Sequence, residues 1–350
     1  MGKEVFTDIR NPEEYLEIYI PEKINENFTG KSIVTVEQFE KRDLDLLFGV
    51  VREMRNKVKR HEPALPLMGY VLANIFYEPS TRTDMSFQAA MAHLGGRFIS
   101  ASSGVEFSSV AKGESLADTI RAIACYADVI VLRHPKVGAS YEAAYYSKMV
   151  SQKLGKVNVP VISAGDGVGE HPTQGLLDLF TIIDRFGEAH GKTMAMVGDL
   201  KYGRTVHSLS KLLSKMEEVR LICVSPESLK MPEELVSRLR CSGLIVEETE
   251  DLVQAITRAD VVYLTRIQKE RFADLEEYER VKDSYIVTPD ILSQTKPEAI
   301  FCHPLPRVNE MGTPREQDIL DADPRSFYFH QMQNGLFVRM ALLAAVLGKI

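Results

Sequence analysis

The amino-acid sequence predicts an α/β protein with two doubly wound parallel-sheet domains. Short apolar runs alternate with amphipathic helical patterns along most of the 350 residues, as is typical of parallel strands joined by crossover helices. The chain is also long enough for two domains of ordinary size. Polar clusters follow several apolar runs directly, where open parallel sheets bind their ligands. We therefore expect functional residues at the strand ends.

The first domain is predicted over residues 34–175, after a polar extension at 1–33 with a short helix around Pro12–Tyr19. Its predicted strands are Val71–Phe76, Arg97–Ala101, Asp128–Arg133 and Val159–Ser163. A helical pattern at Leu116–Tyr126 lies between the second and third of these strands.

The second domain is predicted over residues 176–329, and the amphipathic helix Thr173–Phe186 leads into it. Its predicted strands are Thr193–Val197, Val219–Val224, Gly243–Glu247, Val261–Thr265, Tyr285–Val287 and Ala299–Cys302. The apolar run Phe337–Leu347 predicts a helix that packs back on the first domain, so that residues 330–350 complete that domain.

Composition and charge favour a cytoplasmic enzyme. The chain is 45% hydrophobic and 26% charged, and no apolar run reaches the roughly 20 residues that span a bilayer. The net charge of −7 argues against a nucleic-acid surface. The four cysteines are widely spaced and form no C-x-x-C pair, so we expect buried thiols and no metal site.

The segment Ser80–Thr83 follows the first strand and precedes a helical pattern. The first N–H groups of a helix have no partner within the helix, and together with the helix dipole they attract anions. The alternative is ordinary capping by Ser80 or Thr81, with Arg82 on the surface. This stretch alone leaves both interpretations open.

Five further polar clusters follow predicted strands. They are Arg133-His134-Pro135, His171-Pro172-Thr173-Gln174, Lys201–Arg204, Arg266 with Gln268, and His303-Pro304-Leu305-Pro306-Arg307. Six such clusters at six strand ends predict one ligand crevice between the two domains.

In this order and spacing, the motifs FYEPSTRT, RHP, HPTQ, MVGDLKYGRTVHSL, TRIQKERF and HPLPR resemble the aspartate transcarbamoylase family. The resemblance runs from about Gly30 to the C-terminus. It implies transfer of the carbamoyl group of carbamoyl phosphate to the amine of L-aspartate, as an early step of pyrimidine synthesis. Such a reaction needs orientation of the reactants and stabilisation of a tetrahedral oxyanion, and it needs no cofactor or metal.

The resemblance also implies a role for each site residue. Ser80, Thr81, Arg82 and Thr83 correspond to the phosphate ligands. Thr83, Arg133 and His171 correspond to the donors around the carbamoyl oxygen. Gln174 and the main chain of Pro304 and Leu305 correspond to the groups that hold the carbamoyl amide, and Leu305 also faces the incoming amine. Arg204, Arg266 and Gln268 correspond to the carboxylate ligands of aspartate.

Ser108 and Lys112 resemble the family's mobile loop, which reaches into the neighbouring subunit's site and contacts phosphate and carboxylate. The resemblance therefore implies a homotrimer with shared active sites and closure of the domains on ligand, while the sequence specifies no regulatory partner. Three features depart from the family pattern: Asp84 beside the phosphate motif, a longer segment at 139–156, and the N-terminal thirty residues.

Two alternatives remain. Another transcarbamoylase, chiefly the ornithine enzyme, would carry H-C-L-P where this chain has His303-Pro304. An inactive homologue that acts as a scaffold is the second alternative, and the complete set of motif residues argues against it.

Overall fold

The structure is a computed structural model that describes residues 10–102, 112–267, 275–308 and 310–350. It confirms the predicted fold class, because both sheets are parallel and are joined by helices. The chain divides into two compact units. Unit 1 runs to Leu176 and resumes at Gly335–Ile350, and unit 2 is Leu177–Asn334.

Unit 1 contains a four-stranded sheet in the order β2-β1-β3-β4. Its strands are β1 (Val71–Phe76), β2 (Arg97–Ser102), β3 (Val129–His134) and β4 (Val161–Asp166). Its helices are α1 (Tyr15–Ile18), α2 (Lys41–Lys59), α3 (Thr81–His93), α4 (Leu116–Ile123) and α5 (Ala139–Lys153). Strands β1 and β3 are buried over almost their whole length, as expected for central strands with helices on both faces.

Unit 2 contains a five-stranded sheet in the order β7-β6-β5-β8-β9. Its strands are β5 (Thr193–Val197), β6 (Arg220–Val224), β7 (Ile245–Thr249), β8 (Val261–Leu264) and β9 (Ile300–Cys302). Its helices are α7 (Arg204–Leu213), α8 (Glu233–Cys241), α9 (Leu252–Arg258), α10 (Leu275–Val281), α11 (Pro289–Ser293) and α12 (Pro314–Ala322). Each strand in the order pairs in parallel with its neighbours.

Two helices contain residues of both units: α6 (Pro172–Phe186) and the C-terminal α13 (Tyr328–Val346). Helix α13 begins nine residues before the predicted Phe337. Its end packs back on unit 1 as expected, because the Val346 carbonyl accepts a 2.8 Å hydrogen bond from the Gly30 N–H. No helix within the described ranges is both long and apolar enough to cross a membrane.

The N-terminal extension forms its predicted helix as a short 3-10 turn followed by α1, and it packs on α5. The Tyr15 and Tyr146 hydroxyls lie 2.7 Å apart, and Lys148 Nζ is 2.7 Å from Glu22 Oε1. Gly138 has φ +85°, and a Cβ there would lie 2.1 Å from the Pro12 carbonyl oxygen. The two departures from the family pattern, the extension and the longer 139–156 segment, thus contact each other.

Two expectations were wrong. Tyr285–Val287 is not a strand. The side chains of Tyr285 and Val287 are buried, but the Val287 N–H donates to the Glu310 carbonyl (2.9 Å) and not to a neighbouring strand. Cys125 and Cys241 are exposed, whereas Cys223 and Cys302 are buried as expected. Both exposed cysteines lie near the ends of helices, where the local apolar pattern does not determine burial.

Candidate functional site

The first polar cluster lies where β1 passes into α3. Ser80 occupies the N-cap position of α3, and its side chain makes no capping hydrogen bond within the described part of the chain. Thr81 and Arg82 are exposed, while Thr83 is buried. Since the hydroxyl of Ser80 does not occupy the first-turn N–H groups, this helix start fits the anion cradle better than simple capping.

Asp84, the acid beside this cluster, is turned into unit 1. Its Oδ1 accepts hydrogen bonds from Asn74 Nδ2 (2.8 Å) and Gln88 Nε2 (2.7 Å), and its side chain is buried. The carboxylate thus ties α3 to β1. We therefore regard it as a structural side chain that braces the helix start.

Arg133, at the end of β3, is held by two neighbouring strand ends. Its Nε lies 3.4 Å from Glu78 Oε2, and its Nη1 donates to the Ala164 carbonyl of β4 (3.3 Å). The side chain is 14% exposed, so most of it is fixed and only part of the guanidinium reaches solvent. Arg133 pairs with Phe76 across the ladder, which places it beside the β1 end that leads into Ser80–Thr83.

His171 and Gln174 lie at the start of α6, in the segment that follows β4. Both side chains are buried, and Thr173 Oγ1 is 3.4 Å from His171 Nδ1. The preceding residue, Glu170, accepts hydrogen bonds from Thr35 Oγ1 (2.8 Å) and the Val36 N–H (2.9 Å). Because β1, β3 and β4 are neighbours in a parallel sheet, all three clusters of unit 1 lie at the carboxyl end of that sheet.

In unit 2, Arg204 and Arg266 follow the adjacent strands β5 and β8. Both side chains are half-buried. Arg204 begins α7 after Gly203, where a Cβ would lie 2.4 Å from the Asp199 carbonyl oxygen. The β8 end is joined to β5 by Thr265, whose Oγ1 donates to the Val197 carbonyl (2.9 Å). Both arginines therefore lie at the carboxyl end of the sheet in unit 2.

The HPLPR segment follows β9, the neighbour of β8. Leu305 has φ +53°, in the left-handed region, and precedes a cis peptide bond to Pro306. Arg307 forms a two-pronged ion pair with Asp321, and its Nη1 is 3.0 Å from the Tyr328 hydroxyl. The hydrogen bond from Arg307 lowers the pKa of Asp321 below its ordinary value.

The remaining predicted residues are Lys112, Ser108 and Gln268. Lys112 is exposed just before α4. Ser108 and Gln268 lie outside the described residues. Within the described ranges, no group of three or more His, Cys, Asp or Glu side chains is arranged to hold a metal ion.

Four contacts within these polar clusters were not predicted from the sequence: Glu78 and the Ala164 carbonyl at Arg133, Glu310 at His303, and Asp321 at Arg307. Glu78 was within reach of a sequence argument, since it lies inside the FYEPSTRT motif. The other partners are seven or more residues away along the chain and carry no local signal.

Comparison with known proteins gives one family across the chain. Residues 31–184 match the domain described as "Aspartate/ornithine carbamoyltransferase, carbamoyl-P binding domain". Residues 190–346 match the domain described as "Aspartate/ornithine carbamoyltransferase, Asp/Orn binding domain".

Similar curated proteins include the multifunctional protein pyr1-3 of Dictyostelium discoideum, 48% identical over 92% of this chain and 14% of that protein. The chain thus spans about a seventh of the length of such multifunctional relatives. It is also 46% identical to the chloroplastic aspartate carbamoyltransferase of Arabidopsis thaliana, over 91% of this chain and 78% of the relative.

Similar solved structures include two aspartate transcarbamoylases. Aspartate transcarbamoylase from Trypanosoma cruzi, in complex with carbamoyl phosphate, has a TM-score of 0.82 and 40% identity, covering 91% of this chain and 97% of that one. The catalytic subunit of aspartate transcarbamoylase from M. jannaschii has a TM-score of 0.80 and 43% identity, covering 91% and 98%.

Proposed function

Because the chain belongs to the aspartate/ornithine carbamoyltransferase family, we propose that it transfers the carbamoyl group of carbamoyl phosphate to L-aspartate. The products are N-carbamoyl-L-aspartate and phosphate. The observation that carries the proposal is the division of polar clusters between the sheets. The helix start of α3 and the braced Arg133 suit a phosphate and a polarised carbonyl, while Arg204 and Arg266 suit a dicarboxylate.

In the proposed reaction, the aspartate amine attacks the carbonyl carbon and the bond from that carbon to the phosphate oxygen breaks. Thr83, Arg133 and His171 donate hydrogen bonds to the oxygen that becomes negative in the tetrahedral intermediate. The departing phosphate accepts the amine proton. The protein thus contributes orientation and charge stabilisation, and the phosphate supplies the leaving group.

We assign the remaining contacts by substrate. Carbamoyl phosphate is held at its phosphate by Ser80, Thr81, Arg82, Thr83, Ser108 and Lys112, and at its amide by Gln174, Pro304 and Leu305. Aspartate is held by Arg204, Arg266, Gln268, Lys112 and Leu305. Two half-buried arginines favour aspartate over ornithine, because a second cation in such a site would be repelled.

We also propose that the active form is a homotrimer with shared sites. Strand β2 is an edge strand of unit 1, and its Phe98 and Ile99 are 42% and 43% exposed. Leu65 and Met68, beside Gly95, are 50% and 66% exposed. An apolar edge strand of this kind favours cover by another chain. Strand β2 precedes Lys112 along the chain, and we propose that the copy that covers β2 receives the Lys112 side chain in its site.

One mixing experiment tests the activity and the sharing together. The wild-type protein should form N-carbamoyl-L-aspartate, whereas Lys112→Ala and His171→Ala should each lose most activity. When the two variants exchange subunits, an intact site takes its His171 from a Lys112→Ala subunit and its Lys112 from a neighbouring His171→Ala subunit. Random equal mixing restores about a quarter of the sites in a closed ring.

The controls separate the two claims. Subunit exchange is verified by the mass of mixed oligomers, and each variant mixed with itself should stay inactive. A wild-type protein without product would contradict the transferase proposal. An active wild type with no recovery in a fully exchanged mixture would show that Lys112 acts within its own chain. Domain closure on ligand binding and a cytoplasmic location stay predictions.

A further inference from the structure

Three His-Pro dipeptides lie at or after the ends of strands in this chain, and two of them form the same local turn. The Leu305 N–H donates a 2.8 Å hydrogen bond to His303 Nδ1, and the Lys136 N–H donates a 3.1 Å hydrogen bond to His134 Nδ1. In each case the imidazole accepts from the residue just after the proline. His171 differs, because Pro172 begins helix α6.

The His303 imidazole is fully enclosed and is oriented from its other side. Its side chain is 1% exposed, and its Nε2 lies 2.7 Å from Glu310 Oε1. Glu310 also accepts the Val308 N–H at 3.0 Å. Burial favours the neutral acid, but hydrogen bonds from His303 and the main chain outweigh it and lower the pKa of Glu310. A carboxylate at Nε2 places the proton there, which leaves Nδ1 as the acceptor for Leu305.

The segment after His303 has an unfavourable backbone conformation at Leu305. Leu305 has φ +53°, a conformation that residues with a Cβ rarely adopt unless the surroundings impose it. The hydrogen bond to His303 Nδ1 is one such restraint. It fixes the peptide that precedes Leu305, which includes the carbonyl of Pro304.

The base of this turn is anchored in a buried polar network of unit 2. The His303 N–H donates to Gln331 Oε1 (2.8 Å), and Gln331 Nε2 donates to Asp178 Oδ1 (2.6 Å). The Tyr263 hydroxyl on β8 donates to Asp178 Oδ2 (2.7 Å). His303 is therefore held at its main chain by α13 and at its ring by Glu310, so a displacement of the imidazole would pass directly to Leu305.

We propose that His303 is a positioning residue of the reaction: oriented by Glu310, its imidazole holds Leu305 so that the Pro304 and Leu305 carbonyls can accept the carbamoyl amide. The role of those carbonyls rests on the proposed function. The His303–Leu305 contact itself rests on geometry and burial alone.

Two substitutions separate the roles of the two ring nitrogens of His303. In His303→Asn the side-chain oxygen can accept from the N–H two residues on, as asparagine does in turns, but contact with Glu310 is lost. In His303→Gln the longer side chain can donate to Glu310, but its oxygen no longer reaches the Leu305 N–H in the same turn. His330→Asn, at an exposed histidine of the same unit, is the matched control.

The proposal predicts that His303→Gln lowers kcat by about 10²-fold, the loss that a roughly 1 Å misplacement can cause. His303→Asn should keep most of the wild-type kcat, and His330→Asn should be unchanged. Carbamoyl phosphate should bind more weakly to His303→Gln, while inorganic phosphate should bind as it does to wild type, because the phosphate ligands are elsewhere. If His303 serves only as a structural partner of Glu310, the order of kcat should be reversed, with His303→Gln more active than His303→Asn.

Deuterium exchange of the peptide that contains Leu305 gives a readout that needs no activity. Exchange at Leu305 should be slow in wild type and in His303→Asn and fast in His303→Gln. Equal exchange in all three, or a natively folded His303→Asn without activity beside an active wild type, would overturn the proposal. A wild type that forms no carbamoyl aspartate would instead refute the proposed function, and exchange would still decide the contact.

Discussion

At the scale of single residues, arginines are the proposed ligands of charged substrate groups in both units. Arg133 is oriented by Glu78 and the Ala164 carbonyl, so its position is set before any ligand binds. Arg204 and Arg266 are placed by the ends of two adjacent strands, β5 and β8. A guanidinium held in this way, as in Arg133, can bind a carboxylate or phosphate with little loss of side-chain freedom.

Replacing either carboxylate ligand should impair use of aspartate. We expect Arg204→Ala and Arg266→Ala each to raise KM for aspartate and to lower kcat. In each variant, the resulting fall in kcat/KM should correspond to a loss of about 2–5 kcal/mol in transition-state stabilisation. KM for carbamoyl phosphate should change little. Steady-state kinetics with each substrate varied in turn measures both effects.

Arg258→Ala is the matched control, because Arg258 pairs with Glu247 on the edge strand β7 and has no role in the proposed site. Its kinetics should equal those of wild type. Wild-type kinetics in both Arg204→Ala and Arg266→Ala would remove these arginines from the site.

The sequence predicted the candidate residues but not what holds them in place. Ser80 and Arg133 could be predicted because each directly follows an apolar strand pattern. The orientation of Asp84 could not, because it depends on Asn74 in β1, which becomes a neighbour only when α3 folds against the sheet. The same holds for Glu310, whose contact with His303 forms across a loop.

At the scale of secondary-structure elements, the extension and α5 behave as one packed assembly. Tyr15 is 1% exposed, and its ring centroid lies 5.7 Å from those of both Tyr145 and Tyr146. Burial and the hydrogen bond to Tyr146 raise the pKa of the Tyr15 hydroxyl well above its ordinary value, so it stays protonated. The lengthened helix therefore provides the surface on which the extension docks.

Removing the Tyr15 ring should destabilise the protein without affecting chemistry. Tyr15→Ala should lower the free energy of unfolding by about 3 kcal/mol, since a buried aromatic ring is lost. Leu16→Ala is the control at the next position: Leu16 is 41% exposed, and its loss should cost less than about 0.5 kcal/mol. Urea unfolding measures both values. Equal stability of the two variants would contradict docking of the extension.

Strands with continuous apolar runs were predictable, and Tyr285–Val287 shows where that reasoning stops. The side chains of Tyr285 and Val287 are buried in the core of unit 2, as in a strand. The Val287 N–H nevertheless bonds to Glu310 in a loop. A short apolar run therefore predicts burial, while strand pairing depends on which backbone groups lie alongside, and sequence pattern does not reveal that.

At the scale of the whole molecule, the proposed anion ligands are divided between the two units. The matched carbamoyl-P binding domain contains Ser80–Thr83, Arg133 and His171, and the matched Asp/Orn binding domain contains Arg204 and Arg266. The protein carries a net charge of −7, so the proposed binding of anionic substrates depends on local clusters of positive charge and not on the overall field.

The most direct test of this account offers the wild-type protein carbamoyl phosphate with equal concentrations of L-aspartate and L-ornithine and identifies the products by mass spectrometry. Both amines compete for the same carbamoyl group, so the product ratio reports the substrate choice of the site. We expect N-carbamoyl-L-aspartate, with no more carbamoylated ornithine than forms without protein. Predominance of carbamoylated ornithine, or no product from either amine above the protein-free rate, would contradict the account.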